Sequence, residues 1–224
     1  IGVGKVGIEY LEYNIDVQKP VHVHQESIDI MRKVFSGDEY SYKGQHFESS
    51  MPAYDRIGDG LRTDIPIYVG ATGPFMQKLA GRSANGMLLA GLASPKFTQY
   101  AIDNMKAGAA KVGRVLPDDF PVGGVILAAC NNDGAKAKLA TRAYVGTYVV
   151  NKLRNIKNDV ILAGSGLPAE TWDPFREAIK NDTADDVAHL VTDDMQRRFT
   201  VISGTPTECI EITQELIDSG MNLP

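Results

Sequence analysis

The sequence predicts an α/β fold with a parallel sheet, and three observations carry that prediction. From Ile65 onward, short β-rich apolar runs alternate with longer segments of helical period, the pattern of repeated βαβ units. One of these runs ends in small residues, turns, and enters a helix whose first position is Pro74. The composition is ordinary for a globular chain: 224 residues, 43% apolar and 23% charged, enough for one large domain or two small ones with a sizeable core.

Taken in chain order, Gly2-Val3-Gly4 reads as the tail of a strand. Val23 to Phe35 carries Ile28, Met31, Val34 and Phe35 on one helical face and stops at Gly37. Tyr40 to Glu48 alternates around Lys43-Gly44 as a small β-hairpin does, an excursion between the main units. Ile65 to Ala71 is a buried strand, Phe75 to Arg82 a helix, Gly86 to Gly91 the next strand, and Pro95 to Val112 the helix returning from it. Val122 to Cys130 is a third strand whose small residues predict close packing of neighbouring backbone. Asp133 to Asn155 is a long helix, and Asn158 to Arg198, richer in Gly, Pro and Asp, predicts shorter helices forming an insertion. Thr205-Pro206-Thr207-Glu208 matches a capping box with Pro at the first helical position. Ile210, Ile212, Leu216 and Ile217 supply that helix with a buried face, Gly220 ends it, and Met221 to Leu223 starts another strand.

The bulk numbers exclude several function classes. A net charge of −5, with no run of Lys or Arg longer than two, lacks the footprint of a nucleic-acid binder. No apolar stretch approaches the roughly 18 residues of a membrane helix. Cys130 and Cys209, far apart in sequence, predict neither a disulfide framework nor a zinc knuckle, and both read as small buried residues. The chain opens on Ile1-Gly2-Val3-Gly4 and closes on Met221-Asn222-Leu223-Pro224, each end reading as a cut inside an apolar element, so the expectation is a fragment.

The stretch richest in chemistry is Tyr68-Val69-Gly70-Ala71-Thr72-Gly73-Pro74. Glycines let backbone N–H groups approach an anion without an intervening Cβ, Thr72 adds a hydroxyl donor, and a helix N-terminus adds unsatisfied donors and partial positive charge. That describes a phosphate seat. The loop alone equally fits a tight βα turn capped by Thr72, and it is neither a Rossmann fingerprint, lacking the third glycine, nor a Walker loop, lacking Gly-Lys-Ser/Thr.

Ile65 to Gly91 (IPIYVGATGPFMQKLAGRSANGMLLAG) resembles the central motif of the luciferase-like family, in particular its coenzyme F420-dependent reductases of the methylenetetrahydromethanopterin type. The opening GVG, the stretch IDIMRKVFSGDEYSYKGQHFE and SGTPTECIEITQELIDSGMNLP agree in order and spacing. The resemblance covers nearly the whole chain and is weakest over Asn158 to Arg198. It implies a TIM-type (β/α)8 barrel, incomplete here, with residues 1–224 running from the fourth strand to the start of the eighth and about 100 residues missing before them. By the same resemblance Gly70, Ala71, Thr72 and Gly73 match the loop that binds the cofactor phosphate, and Gly4 ends a strand lining the cofactor pocket. It further implies a cytoplasmic protein that acts on a small molecule and forms a homo-oligomer at full length. Some deazaflavin-dependent sugar-phosphate dehydrogenases of the family carry a catalytic Glu just after the GVG strand; here that position is Gly7 or Ile8, with Glu9 out of step, which disfavours that activity. No catalytic residue is identified. The implied activity is hydride transfer between F420 and a small organic substrate, a pterin-like C1 carrier being one choice. The alternatives are an FMN-dependent monooxygenase of the same family and a non-catalytic barrel acting as a binding subunit.

Other groups read as structural. His22 and His24, spaced by two, point to different sides of a helix and suit a solvated helix start rather than a metal. His46 and His189 read as surface residues, and Asp185-Asp186 and Asp193-Asp194 as helix-capping or solvated carboxylates beside Thr183 and Thr192. Trp172, Tyr144 and Tyr148 read as core aromatics before pocket-lining ones. No Gly-x-Ser-x-Gly, Cys-x-x-Cys or His-Glu-x-x-His motif supports a hydrolase or metalloprotease.

Overall fold

The computed structural model describes residues 1–4, 20–53, 62–89, 91–155 and 160–223. It divides into two compact units, Ile1–Met87 with Asn104–Phe120, and Leu88–Asp103 with Pro121–Pro224.

In the first unit the elements are β1 (Gly2–Gly4), α1 (Pro20–Ser36), β2 (Tyr40–Lys43), β3 (Glu48–Met51), β4 (Tyr68–Gly70) and α2 (Pro74–Ser83), followed along the chain by β5 (Gly86–Leu89) and α3 (Pro95–Ala110). β1 and β4 pair in parallel, Gly2 beside Tyr68, Val3 beside Val69 and Gly4 beside Gly70, so both strands end at one level. α1 stops where Gly37 takes a φ of 76°, a left-handed conformation that glycine adopts without a Cβ clash. Ile28, Ile67, Val69 and Leu79 are fully buried. Gln25 joins α1 to α2, its Oε1 accepting from Arg82 Nε at 3.1 Å and Ser83 Oγ at 2.6 Å. α2 and the C-terminal half of α3 meet backbone to backbone: a Cβ on Gly81 would run into the Met105 carbonyl, and one on Gly108 into the backbone of Lys78.

The hairpin forms, but its turn is longer than the Lys43-Gly44 reading. β2 and β3 pair antiparallel from Tyr40 with Met51 to Lys43 with Glu48, leaving a four-residue loop, Gly44 to Phe47. A carboxylate from outside the hairpin explains the extra residues. Glu26, buried on α1, accepts the N–H groups of Gln45 (2.8 Å), His46 (3.0 Å) and Phe47 (2.9 Å). Burial pushes the Glu26 pKa up, but these three bonds, with nearby His46, outweigh it and hold the carboxyl below its ordinary value.

The second unit contains β6 (Val122–Gly124), β7 (Ala128–Cys130), α4 (Gly134–Asn155), α5 (Val160–Gly164), α6 (Asp173–Lys180), α7 (Asp193–Arg198), β8 (Ile202–Gly204) and α8 (Pro206–Asp218), with single 3-10 turns at Ala169–Trp172 and Ala188–Leu190. The short helices α5 to α7 fulfil the expectation for the stretch before Arg198. Their core is aromatic: Trp172 stacks on Phe199 at 5.9 Å between centroids and lies tilted to Phe175 at 6.4 Å. The expected single strand from Val122 to Cys130 is instead two, because the chain changes partner midway. Gly123 bridges to Leu223, whereas β7 pairs in parallel with β8 from Ala128 beside Ile202 to Cys130 beside Gly204. Between them Val125 is 68% exposed. Close backbone packing does occur, since a Cβ on Gly123 would meet the Leu223 carbonyl.

The capping box of α8 is present, with Thr205 N–H donating to Glu208 Oε2 at 2.7 Å and Glu208 N–H to Thr205 Oγ1 at 3.4 Å. Its buried face differs from expectation. Cys209, Ile212 and Leu216 are buried, at i, i+3 and i+7, while Ile210 and Ile217 are 70% and 49% exposed. One residue of offset on a helix is 100°, enough to carry both isoleucines off the core side. Cys130 is also corrected: it is exposed, and only Cys209 is buried.

Candidate functional site

The parallel register of β1 and β4 sets the C-terminal ends of two neighbouring strands, Gly4 and Gly70, side by side, and the chain then turns through Ala71 and Thr72 into α2. Gly73 is the N-cap of α2, with φ −95° and ψ 159° and no side chain bonded into the helix start. Thr72 therefore does not cap the helix. Nor do the glycines serve turn geometry, because Gly4, Gly70 and Gly73 are all outside the left-handed region. Their lack of a Cβ is not demanded by the surrounding protein either. A Cβ on Gly73 would meet nothing within 4 Å, and Cβ atoms on Gly4 and Gly70 would make only ordinary contacts of 3.4 and 3.5 Å. This contrasts with Gly81 and Gly108, where the protein itself fills the space. The loop presents an open floor that side chains would occupy.

The expected site residues divide by what they can offer. Ala71 is buried and offers no side-chain group. Gly4, Gly70, Thr72 and Gly73 are partly or fully accessible. Pro74 has no N–H, and the N–H groups of Phe75 and Met76 precede the first intrahelical bond, which Gln77 N–H makes to the Gly73 carbonyl at 3.0 Å. These donors point along the positive end of a ten-residue helix. From Val69 to Gln77 no side chain is ionisable, so any positive potential the loop offers comes from neutral dipoles alone.

One residue that sequence reasoning missed underlies this loop. Gln77 is fully buried; its Nε2 donates to the Thr72 carbonyl at 2.9 Å and its Oε1 accepts from Asn104 Nδ2 at 3.1 Å. The available signal was a long amide on a helix stripe of small residues, Gln77, Ala80, Gly81 and Ala84, all buried.

The remaining candidates stay structural. His22 is exposed, and His24 Nδ1 lies 2.6 Å from the Pro20 carbonyl. His46, His189, Asp185 and Asp186 are exposed. Asp193 and Asp194 open α7, whose cap is Thr192 accepting from Met195 N–H at 3.1 Å, and they pair with Arg142 and Arg198. Trp172 is core, whereas Tyr144, stacked on Tyr148, is 47% exposed. Among the described residues no group of three His, Cys, Asp or Glu side chains is placed to hold a metal, and no helix is long and apolar enough to cross a membrane. The position after the GVG strand, Gly7 to Glu9, lies outside the described residues. In the second unit a cleft of about 360 Å³ includes Lys138, Gln196, Ser203 and Glu208 in its lining. Lys138 and Glu208 pair at 2.8 Å, and that bond, with those from Thr205, holds the Glu208 carboxyl down to about 2.

A family model for the luciferase-like monooxygenases matches residues 1–223, and the chain belongs to that family. It is 33% identical to a 5,10-methylenetetrahydromethanopterin reductase of Archaeoglobus fulgidus over 99% of this chain and 64% of the relative. The solved coenzyme F420-dependent tetrahydromethanopterin reductase of Methanopyrus kandleri superposes with a TM-score of 0.78 at 25% identity, over 99% of this chain and 66% of that one. An FMN complex of a Pseudomonas putida type II Baeyer-Villiger monooxygenase shares the fold, with a TM-score of 0.57 at 15% identity over 98% of this chain and 60% of that one. The chain spans about three fifths of the length of the curated relatives it matches. The expected fold class, part of a luciferase-like (β/α)8 barrel, stands.

Proposed function

From membership of this family and the geometry of the Gly70 to Gly73 loop, we propose that the intact protein is an F420-dependent oxidoreductase that moves a hydride to or from a small organic substrate. The observation that carries the reading is the open floor at Gly4, Gly70 and Gly73, where no Cβ is excluded by the protein and none is present. In this reading Gly73, Phe75 and Met76 donate their N–H groups, and Thr72 its hydroxyl, to the cofactor phosphate, while Gly4 and Gly70 let it approach the strand ends. When bound, the deazaflavin supplies or accepts the hydride. The protein's part is to fix the tail and so the ring, and orientation contributes most to a direct transfer that needs no strong acid or base. The neutral lining of the loop agrees with that division of labour.

The resemblance to methylenetetrahydromethanopterin reductases supports a pterin-like C1 carrier as the substrate class. A homo-oligomeric, cytoplasmic enzyme without nucleic-acid or membrane partners completes the proposal. The FMN monooxygenase reading uses the same loop. Titrating the intact protein with F420 and with FMN, followed by absorbance, separates them. Saturable F420 binding is expected; tight FMN binding without F420 binding refutes the proposal in favour of the monooxygenase, and binding of neither favours a non-catalytic barrel.

A further inference from the structure

A buried side chain holds one peptide of the Gly70 to Gly73 loop in place. Thr72 and Gly73 share a trans peptide, as do all described residues. In a trans peptide the C=O and the N–H point in opposite directions. The Thr72 carbonyl is directed to Gln77 Nε2, 2.9 Å away and fully buried. The Gly73 N–H of the same peptide therefore points away from the interior, and among the described residues it has no acceptor. The Gln77 amide cannot turn over without loss: a carbonyl only accepts, so Nε2 must face Thr72, and Oε1 is then left to accept from Asn104.

We propose that Gln77, braced by Asn104, is a positioning residue that fixes the Thr72–Gly73 peptide so that Gly73 N–H is presented to the cofactor phosphate. This rests on the reading of the loop as a phosphate seat. It adds that the seat's central donor is oriented from the helix interior, by a residue that touches neither cofactor nor substrate. Without Gln77 the peptide is free to rotate, and a carbonyl oxygen turned outward would face the phosphate as a like partial charge.

The test uses the intact protein, F420 titration by absorbance, and the variants Gln77→Leu and Gln77→Glu with wild type beside them. Gln77→Leu keeps the bulk and removes the donor; F420 should bind about ten- to a hundredfold more weakly, the scale of one hydrogen bond to a charged group. Gln77→Glu adds a readout that loss of packing would not move. The introduced carboxyl is buried, which raises its pKa. Protonated, it donates to the Thr72 carbonyl; ionised, it repels it. Its affinity relative to wild type should be near one at about pH 5 and fall by tenfold or more by about pH 8. If Gln77→Leu does not fold, the pH profile of Gln77→Glu decides alone. Wild type that binds F420, with Gln77→Glu showing a flat ratio across this range, overturns the role of Gln77 and leaves the function standing. Wild type that does not bind F420 overturns both.

Discussion

Replacing Gly73 by Asp should move stability and cofactor affinity in opposite directions. The backbone at Gly73 accepts any L residue, and the new side chain has open space before it. Asp is a preferred N-cap, and its charge sits at the positive end of α2. The cap and dipole together should stabilise the fold by about 0.5 kcal/mol, or about 1–2 °C in Tm for a chain of this size. A phosphate on the same N–H groups would stand about 5 Å from the carboxylate, where two unit charges repel by about 3 kcal/mol at an effective dielectric near 20. Solvent and salt reduce this to about 1–2 kcal/mol, a loss of about five- to thirtyfold in affinity. Thermal denaturation and F420 titration of the same preparation measure the two effects. A folded Gly73→Asp protein with unchanged F420 affinity would refute the assignment of the loop.

Three further outcomes follow from the packing and the ion pairs. Gly81→Ala, which in an isolated helix would gain up to about 1 kcal/mol, should instead destabilise by about 1–3 kcal/mol as its Cβ drives against the Met105 carbonyl; urea unfolding at or above wild-type stability would contradict the backbone contact. Trp172→Ala should cost about 3–5 kcal/mol by emptying the space against Phe175 and Phe199, measured by urea unfolding followed by far-UV circular dichroism, and a cost below 1 kcal/mol would place that cluster outside the core. Glu208 has a folded pKa of about 2 against an ordinary 4.5, so its stabilisation is fully present above about 4.5 and disappears as pH falls toward 2. Glu208→Gln should flatten that acid limb, and an unchanged slope would exclude the Lys138 and Thr205 bonds as its source.

Much of the secondary structure was legible because it is encoded within a few residues of itself. The α8 cap needs only Thr205 and Glu208, and the stop of α1 needs only Gly37. What escaped depends on distant partners. The break between β6 and β7 exists because Leu223 and β8 claim different parts of one apolar run. The four-residue hairpin loop exists because a carboxylate some twenty positions upstream receives its N–H groups. Ile210 and Cys209 are neighbours in sequence, and only the rotational setting of α8 decides which is buried. The candidate site follows the same division. The glycines and Thr72 stand in a contiguous stretch and are legible directly, whereas Gln77 acquires its meaning from a carbonyl and an amide that periodicity alone does not bring to it.

The hold of Glu26 on the hairpin has a consequence for how this chain can diversify. A carboxylate that accepts only main-chain N–H groups is indifferent to the side chains of Gln45, His46 and Phe47, all of which project outward. Gly44 alone is restricted, since a Cβ there would enter the space of the Glu26 carboxylate. Three adjacent positions are thus open to interchange of chemistry while the anchor stays the same, and homologous proteins could exchange such loops as interchangeable parts without redesigning the helix beneath.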